Sequence, residues 1–324
     1  MSNSDCFEEY HPQIEKVINT IEKAIIGKRD VAILSLTALL AEGHVLLEDV
    51  PGVGKTLLVR SLAKSIGAVF NRIQFTPDML PSDLTGLSIY NQRKQEFEFI
   101  KGPLMGNIIL ADEINRTSPK TQSALLEGME EGGITVDGTT HELDRPFFVM
   151  ATQNPIEYEG TFPLPEAQLD RFLMKLTMGY PSESEELEML NRFQWRHPLD
   201  EVDVVLSLSD LLSMQEEVNR IHVSQAVKKY IVTLVKKTRS HRLIALGTSP
   251  RGTLALMKAA QSYAFIHHRD FVIPDDVKYL APYVLSHRIV SAPEARIEGV
   301  TTKSIINEIV DRVDIPIRKE HSLQ

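Results

Sequence analysis

The sequence predicts an α/β domain built on a parallel sheet between helices, followed by a smaller all-α domain. In the first part of the chain, short apolar runs that do not alternate with polar residues are separated by segments of helical period. This is the pattern of buried parallel strands and their crossover helices. From about residue 183 every segment is helical in period and glycine becomes sparse. We therefore expect a first domain over residues 1–182 and a helical domain over residues 183–324.

Each element of the first domain follows from its local pattern. Residues 12–26 place their apolar side chains on one stripe of a helix. Ser118 is a candidate N-cap with Pro119 at the first helical position, and Asp137-Gly138 predicts a hairpin turn. The predicted elements are helices over residues 12–26, about 30–42, 57–67 and 118–132, strands over 44–48, 107–113 and 147–154, and a hairpin over 134–146. In the second domain, helices are predicted over residues 182–193, 210–221, 224–239 and 251–269.

Composition restricts the class of protein. Hydrophobic residues make up 43% and charged residues 24% of the chain, the range of soluble globular proteins. A net charge of −9 makes nucleic acid and anionic membranes unfavourable partners. The N-terminus has no secretory signal pattern, and the longest apolar run, residues 31–41, is too short to span a bilayer. With Cys6 as its one cysteine, we expect a cytoplasmic protein without membrane insertion or nucleic acid.

The segment EDVPGVGKT, residues 48–56, follows the first predicted strand and resembles a phosphate-binding loop. Gly54, Lys55 and Thr56 stand where the pattern requires them, but Asp49 replaces the first glycine. The amide groups at the N-terminus of the next helix would bind phosphate. Lys55 would add a charge and Thr56 a hydroxyl for Mg²⁺. We expect Asp49 to close the strand and to stiffen the turn through backbone hydrogen bonds. The alternative is a Gly-Pro turn before an ordinary helix.

Polar residues end the two later strands. Asp112 ends an apolar run at the edge where open α/β sheets bind ligands, so it can hold Mg²⁺, and Glu113 can act as the general base for a water. Asn154 can contact a γ-phosphate or orient that water without adding charge. The alternatives are a strand that simply meets solvent at Asp112, and a turn started by Asn154-Pro155.

Two arginines are candidates for phosphate contacts from outside the loop. Arg171 in LPEAQLDRFLMK could reach the γ-phosphate of a neighbouring subunit, or could form a salt bridge with Asp170 or Glu166. Arg251 in SPRGTLALMKAA begins a helix of the second domain and could reach the nucleotide from there. Its alternative is a solvated arginine at a helix start.

Four segments together resemble the MoxR family of AAA+ ATPases: EDVPGVGKT, KGPLMGNIILADEINRTSPKTQSALLEGMEE, MATQNPIEYEGTFPLPEAQLDRF and SPRGTLALMKAA. The resemblance extends from about residue 20 to about residue 290. It implies an AAA+ P-loop core with a small all-α lid, ATP and Mg²⁺ as ligands, and metal contacts from Thr56 and Asp112. It also implies sensor 1 at Asn154, an arginine finger given in trans at Arg171 and sensor 2 at Arg251. The nucleotide contacts that it implies are Ile26, Gly27, Pro51, Gly52, Val53, Gly54, Lys55, Thr56, Leu57 and Asp112.

The resemblance also implies an assembly and a role. Residues 84–102 look like the strand-and-helix insert of the family, and residues 134–146 like the hairpin before sensor 1. Both inserts point toward the client or the pore of a hexamer in such proteins. We expect a homo-oligomer, a hexamer by the resemblance, that hydrolyses ATP to remodel or mature protein complexes. The expected partner carries a von Willebrand factor A domain. A chelatase-type motor subunit and a nucleotide-gated scaffold with slow hydrolysis remain alternatives, whereas the acidic chain disfavours a DNA motor.

Overall fold

The computed structural model describes residues 10–50, 52–154, 161–194 and 197–315. The chain divides into two compact units. The first unit covers residues 12–216, and the second joins Tyr10 and His11 with the described chain from Glu217 onward. Within these described ranges, no helix combines the length and the hydropathy that crossing a membrane would need.

The first unit alternates strands and helices, as the sequence predicts. Its helices are α1 Pro12–Ala24, α2 Arg29–Leu40, α3 Lys55–Ser65, α4 Pro81–Thr85, α5 Pro119–Glu131, α6 Glu166–Leu169, α7 Glu183–Phe193 and α8 Leu208–Val218, the last of which runs into the second unit. Its strands are β1 Val45–Glu48, β2 Phe70–Gln74, β3 Gly86–Asn91, β4 Glu96–Lys101, β5 Ile108–Asp112, β6 Gly133–Val136, β7 Thr139–Glu142, β8 Phe148–Gln153 and β9 Met174–Leu176. Two 3-10 turns, Ile114–Arg116 and Pro198–Glu201, complete it.

Five strands form one parallel sheet in the order β2-β5-β8-β1-β9. The apolar runs of β1, β5 and β8 are buried in the middle of this sheet, which confirms their prediction as covered parallel strands. Register brings the polar ends of the strands together, because Glu48 lies opposite Gln153 and Gln74 lies opposite Asp112. The carboxyl edge of the sheet therefore gathers the polar side chains at one place.

Helices cover the sheet through apolar side chains. One core cluster joins strand residues such as Ile109 and Val149 to Leu125 and Leu126 of α5. The α1 stripe predicted from the sequence is fully buried and packs against α3. Full burial of each such leucine or isoleucine stabilises the fold by about 1.5–3 kcal/mol. This packing holds the carboxyl edge of the sheet and the start of α3 in a fixed relation.

Two hairpins project from the first unit. Strands β3 and β4 pair antiparallel after the short helix α4, within the residues 84–102 expected as an insert. Strands β6 and β7 pair around Asp137 (φ 50°) and Gly138 (φ 79°), which confirms the predicted hairpin and its two-residue turn. The rings of Phe99 and His141 stack with centroids 3.9 Å apart and join the hairpins.

The division between the two units falls after residue 216, whereas the sequence placed a domain boundary at residues 182 and 183. Helix α7 and the chain up to residue 216 belong to the first unit. Arg192 donates to the carbonyl oxygen of Glu22 at 3.2 Å, and Lys64 Nζ donates to the carbonyl of Leu199 at 2.7 Å. Helical period identified these segments as helices, but it carries no information about which unit a helix packs against.

The second unit is helical, as predicted. Its helices are α9 Gln225–Thr238, α10 Pro250–Ile266, α11 Pro274–Leu285, α12 Pro293–Ile297 and α13 Thr302–Arg312, with a 3-10 turn at Ser286–Arg288. A short antiparallel ribbon of β10 Ile244–Leu246 and β11 Val290–Ser291, absent from the prediction, lies among them. Buried side chains of α10, α11 and α13, among them Leu256, Leu280 and Ile305, form its core. The N-terminal chain joins this unit through His11, whose amide donates to Ile266 at 2.8 Å.

Candidate active site

The loop between β1 and α3 leaves the N-terminus of α3 open. Gly52 (φ 86°) and Gly54 (φ 92°) take left-handed conformations that a side chain would strain. A Cβ at Gly52 would meet nothing within 4 Å, so backbone conformation and not crowding requires glycine there. Gly54 caps α3 without a side-chain hydrogen bond. The first amides of α3 and its positive dipole end therefore face outward as an anion site.

Lys55 and Asp49 set the shape of this loop. The Lys55 ammonium donates to the carbonyl oxygen of Asp49 at 2.9 Å. The Asp49 side chain is buried and accepts three backbone hydrogen bonds, from Val50 at 2.8 Å, Met178 at 2.6 Å and Gly179 at 2.7 Å. The expected backbone hydrogen bond of Asp49 within the turn is present at Val50, and stiffening of the turn stays a prediction. The contacts of Asp49 after β9 were not foreseen.

The two acidic residues at the end of β5 are held by neighbouring strands. Asp112 Oδ1 accepts from the Thr152 hydroxyl at 2.6 Å, and its Oδ2 accepts from Arg72 at 2.7 Å. Glu113 takes a left-handed conformation (φ 58°), and its amide donates to the same Thr152 oxygen at 2.8 Å. A glutamate in this region of backbone space is strained, and such strain is concentrated at functional sites.

The loop and the acidic pair line one cavity of about 420 Å³, within the range of about 300–1,000 Å³ typical of ligand pockets. Asn154, buried at the end of β8, also lines it. The residues around the cavity are Gly52, Gly54, Lys55, Thr56, Leu57, Arg72, Gln74, Asp112, Glu113 and Asn154. The cavity thus joins an anion-binding helix terminus to two carboxylates, the combination that a metal-bound polyphosphate needs.

Comparisons with known proteins agree with this geometry. Residues 44–174 match a family model described as "ATPase family associated with various cellular activities (AAA)", and residues 236–309 match the AAA lid domain. The chain is 61% identical to the uncharacterized protein YeaC of Bacillus subtilis, over 96% of this chain and 98% of that protein. It is 43% identical to the chaperone MoxR1 of Mycobacterium tuberculosis, over 94% of this chain and 82% of that protein. The chain belongs to the MoxR family of AAA+ ATPases.

A solved structure confirms the AAA+ fold of this MoxR-family chain. The crystal structure of a candidate ATPase from Cytophaga hutchinsonii superposes with a TM-score of 0.88 at 44% identity, over 94% of this chain and 95% of that one. The predicted architecture of a P-loop core followed by a helical lid domain is therefore correct.

The remaining residues implied by the MoxR resemblance lie elsewhere. Arg171 does not line the cavity. It forms an ion pair with Glu130 at 3.1 Å. The sequence had suggested Asp170 or Glu166 as its salt-bridge partner. Arg251 lies in the first turn of α10 in the second unit, and its role as sensor 2 stays a prediction.

The resemblance also implies nucleotide contacts just after α1 and at the tip of the loop. Ile26 is buried just after α1, and Gly27 (φ 70°) follows it. Neither lines the cavity. A Cβ at Gly27 would come within 1.6 Å of Glu185 Oε1, so α7 lies against this glycine. Val53 is half-buried in the loop, and Pro51 lies outside the described residues.

Three residues near the acidic pair escaped the sequence prediction. Arg72 and Gln74 of β2 and Thr152 of β8 contact Asp112 or Glu113 directly. Arg116 forms an ion pair with Glu113 at 3.3 Å. For the two β2 residues a signal did exist in FNRIQ, where polar residues at alternate positions flank the buried Ile73.

Proposed function

We propose that this MoxR-family chain hydrolyses ATP in a Mg²⁺-dependent reaction. The observation that supports the proposal is the convergence of the phosphate-type loop and the Asp112–Glu113 pair on one cavity. An open helix terminus, an ammonium and adjacent carboxylates fit a metal-bound nucleoside triphosphate. Each part offers the chemistry that one part of such a ligand needs.

Each residue then has a chemical role. The α3 amides and Lys55 would bind the phosphates, and Thr56 with Asp112 would hold Mg²⁺. When bound, Mg²⁺ neutralises charge on the phosphates during transfer. Both described contacts of the Glu113 carboxylate go to Oε2, so Oε1 is the oxygen that would accept the proton of the attacking water. Asn154 would orient that water through its neutral amide.

We propose that the active form is a homo-oligomer, a hexamer by the family resemblance, with Arg171 completing the site of a neighbouring subunit. The absence of Arg171 from the cavity of its own chain supports this arrangement. An Arg171→Ala variant should bind nucleotide with unchanged affinity and lose about 10³-fold or more in phosphate release. Phosphate release per subunit should also fall on dilution of the wild type below its assembly concentration. Equal rates per subunit in the monomer and the oligomer would refute a role in trans.

We propose a chaperone-like role, remodelling or maturing protein complexes, because the name of the relative MoxR1 describes a chaperone. A partner with a von Willebrand factor A domain is the client class that the resemblance implies. The ATP requirement and the one cysteine, Cys6, favour a cytoplasmic location. A pull-down with a Glu113→Gln variant and ATP should retain the client. Phosphate release measured with and without that client separates a remodelling motor from a scaffold with slow hydrolysis.

A further inference from the structure

Strand β2 at the edge of the sheet carries two polar side chains toward the acidic pair. Arg72 and Gln74 are two residues apart and therefore project from the same face of the strand, while Ile73 between them is buried. Gln74 lies directly opposite Asp112 in the register, and Arg72 reaches along the strand to the same carboxylate. The phosphate-loop pattern assigns a role to neither residue.

The contacts form a chain that joins both carboxylates to one guanidinium. Arg72 donates to Asp112 Oδ2 from Nη2 at 2.7 Å and from Nε at 3.2 Å. Arg72 Nη2 also donates to Gln74 Oε1 at 2.9 Å, and Gln74 Nε2 donates to Glu113 Oε2 at 2.6 Å. The guanidinium therefore compensates Asp112 directly and orients the amide that contacts Glu113.

The two partners of the ion pair differ in exposure. The Asp112 side chain is 13% exposed and is fixed from its other oxygen by Thr152, whereas the Arg72 side chain is 49% exposed. Arg72 can thus move into solvent while Asp112 stays in place. Because two cations on one carboxylate oxygen repel each other, a divalent cation on Oδ2 would weaken the contact of Arg72 with that oxygen and favour its departure.

We propose that Arg72 is a positioning residue that serves as an internal counter-ion for Asp112 in the metal-free subunit and competes with Mg²⁺ for that carboxylate. This inference rests on the proposed function, because it assumes that Asp112 meets Mg²⁺ with the nucleotide. Arg72 keeps two adjacent carboxylates assembled without metal. Its departure removes a partner from Gln74, so metal binding is communicated to the amide that holds Glu113.

The test is a Mg²⁺ titration of nucleotide binding. A fluorescent ADP analogue at fixed concentration reports binding to the full-length wild type and to the Arg72→Gln, Arg72→Lys and Arg60→Gln variants. Arg60 is an exposed arginine on α3 outside the network and serves as the matched control. Arg72→Gln should lower the Mg²⁺ concentration for half-maximal binding by about three- to tenfold. Arg72→Lys should shift it by about twofold in the same direction, because lysine keeps the charge but loses the second donor.

Melting temperatures provide the second readout. Arg72→Gln should melt several degrees lower than the wild type without metal, and Mg²⁺ with ADP should close most of that gap. A lower melting temperature in both conditions with an unchanged Mg²⁺ midpoint would mean a merely structural residue and would overturn the proposal. Arg72→Gln could instead weaken the binding of a non-hydrolysable ATP analogue more than that of ADP and leave the Mg²⁺ midpoint unchanged. That result would mean that Arg72 contacts the phosphates directly, and it would also overturn the proposal.

Two further outcomes keep the inference separate from the proposed function. If Arg72→Gln does not fold, the Arg72→Lys titration decides, and an unshifted midpoint there overturns the proposal. If the wild type shows no Mg²⁺-dependent nucleotide binding, the proposed function fails and the inference fails with it. If the wild type binds nucleotide in a Mg²⁺-dependent way but neither Arg72 variant shifts the Mg²⁺ midpoint, the inference about Arg72 is refuted and the proposed function is not.

Discussion

Replacement of Asp49 tests why an acidic residue stands where phosphate loops have glycine. Its buried carboxylate accepts backbone hydrogen bonds from Val50, Met178 and Gly179. Hydrogen bonds to a charged group contribute about 1.5–3 kcal/mol each, and a buried donor without a partner costs about 1–3 kcal/mol. Water can replace the bonds at half-buried Val50 and Gly179, so we count the bond at buried Met178. The free energy of unfolding of Asp49→Ala should fall by about 1–3 kcal/mol.

The series of substitutions at this position should follow a definite order. Asp49→Asn keeps one acceptor oxygen and should lose about 1–2 kcal/mol. Asp49→Gly should lose more than Asp49→Ala, because glycine adds up to about 1 kcal/mol of backbone entropy and φ at Asp49 does not call for it. An exposed aspartate of the same unit, Asp203, is the control, and Asp203→Ala should stay within about 0.5 kcal/mol.

Chemical denaturation and amide hydrogen exchange measure these changes. Exchange protection at Met178 and Gly179 should drop in Asp49→Ala and stay at the wild-type level in Asp203→Ala. ATP affinity should change by no more than a few-fold, because Lys55 contacts the main-chain oxygen of Asp49, which every variant retains. Unchanged stability and protection together with a large gain in ATP affinity would refute the reasoning. That result would mean that the carboxylate opposes the phosphate.

Two other predictions concern buried polar groups of the first unit. His44 accepts from the Val149 amide and contacts the Met129 carbonyl, and burial lowers its pKa from 6.5 to about 4. The unfolded chain therefore binds the extra proton first, and stability is lost as pH falls from about 6.5 toward 4; between pH 7 and pH 5 the loss is about 2 kcal/mol. Denaturant unfolding at both pH values should show this loss of stability in the wild type and a smaller loss in His44→Asn. Equal losses in the two proteins would contradict the assignment. Thr152→Val leaves the Glu113 amide without its acceptor. The variant should lower the free energy of unfolding by about 1–3 kcal/mol and lose most of the ATPase activity, whereas Thr152→Ser, which keeps the hydroxyl, should retain the stability and the activity.

Local patterns predicted the parts of the fold whose signal lies within a short segment. The buried strands β1, β5 and β8 have continuous apolar runs, so they were identified. Edge strand β2 has the polar sequence FNRIQ and β9 has three residues, so neither was. The lid was identified as helical, but helical period did not indicate that α7 packs in the first unit, because the partner of a helix is a long-range property.

In the candidate site, too, the local features were predicted from the sequence and the long-range contacts were not. The loop and the Asp112–Glu113 pair were predicted because adjacent residues carry their chemistry. The partners of that pair on β2 and β8 were missed because they are distant in sequence, and Arg72 and Asp112 are 40 positions apart. For Arg171 both salt-bridge candidates were neighbours in sequence, while the observed partner, Glu130, lies on α5. Sheet register and helix packing create these contacts, and a single sequence does not display them.

A Glu113→Gln variant tests the central claim, that the cavity between the loop and β5 is a site of ATP hydrolysis, most directly. Glutamine keeps the size of the side chain and removes the carboxylate that would accept the proton of the attacking water. We expect the variant to bind ATP with wild-type affinity and to release phosphate at least about 100-fold more slowly. Phosphate release at the wild-type rate, with ATP still bound, would contradict this claim.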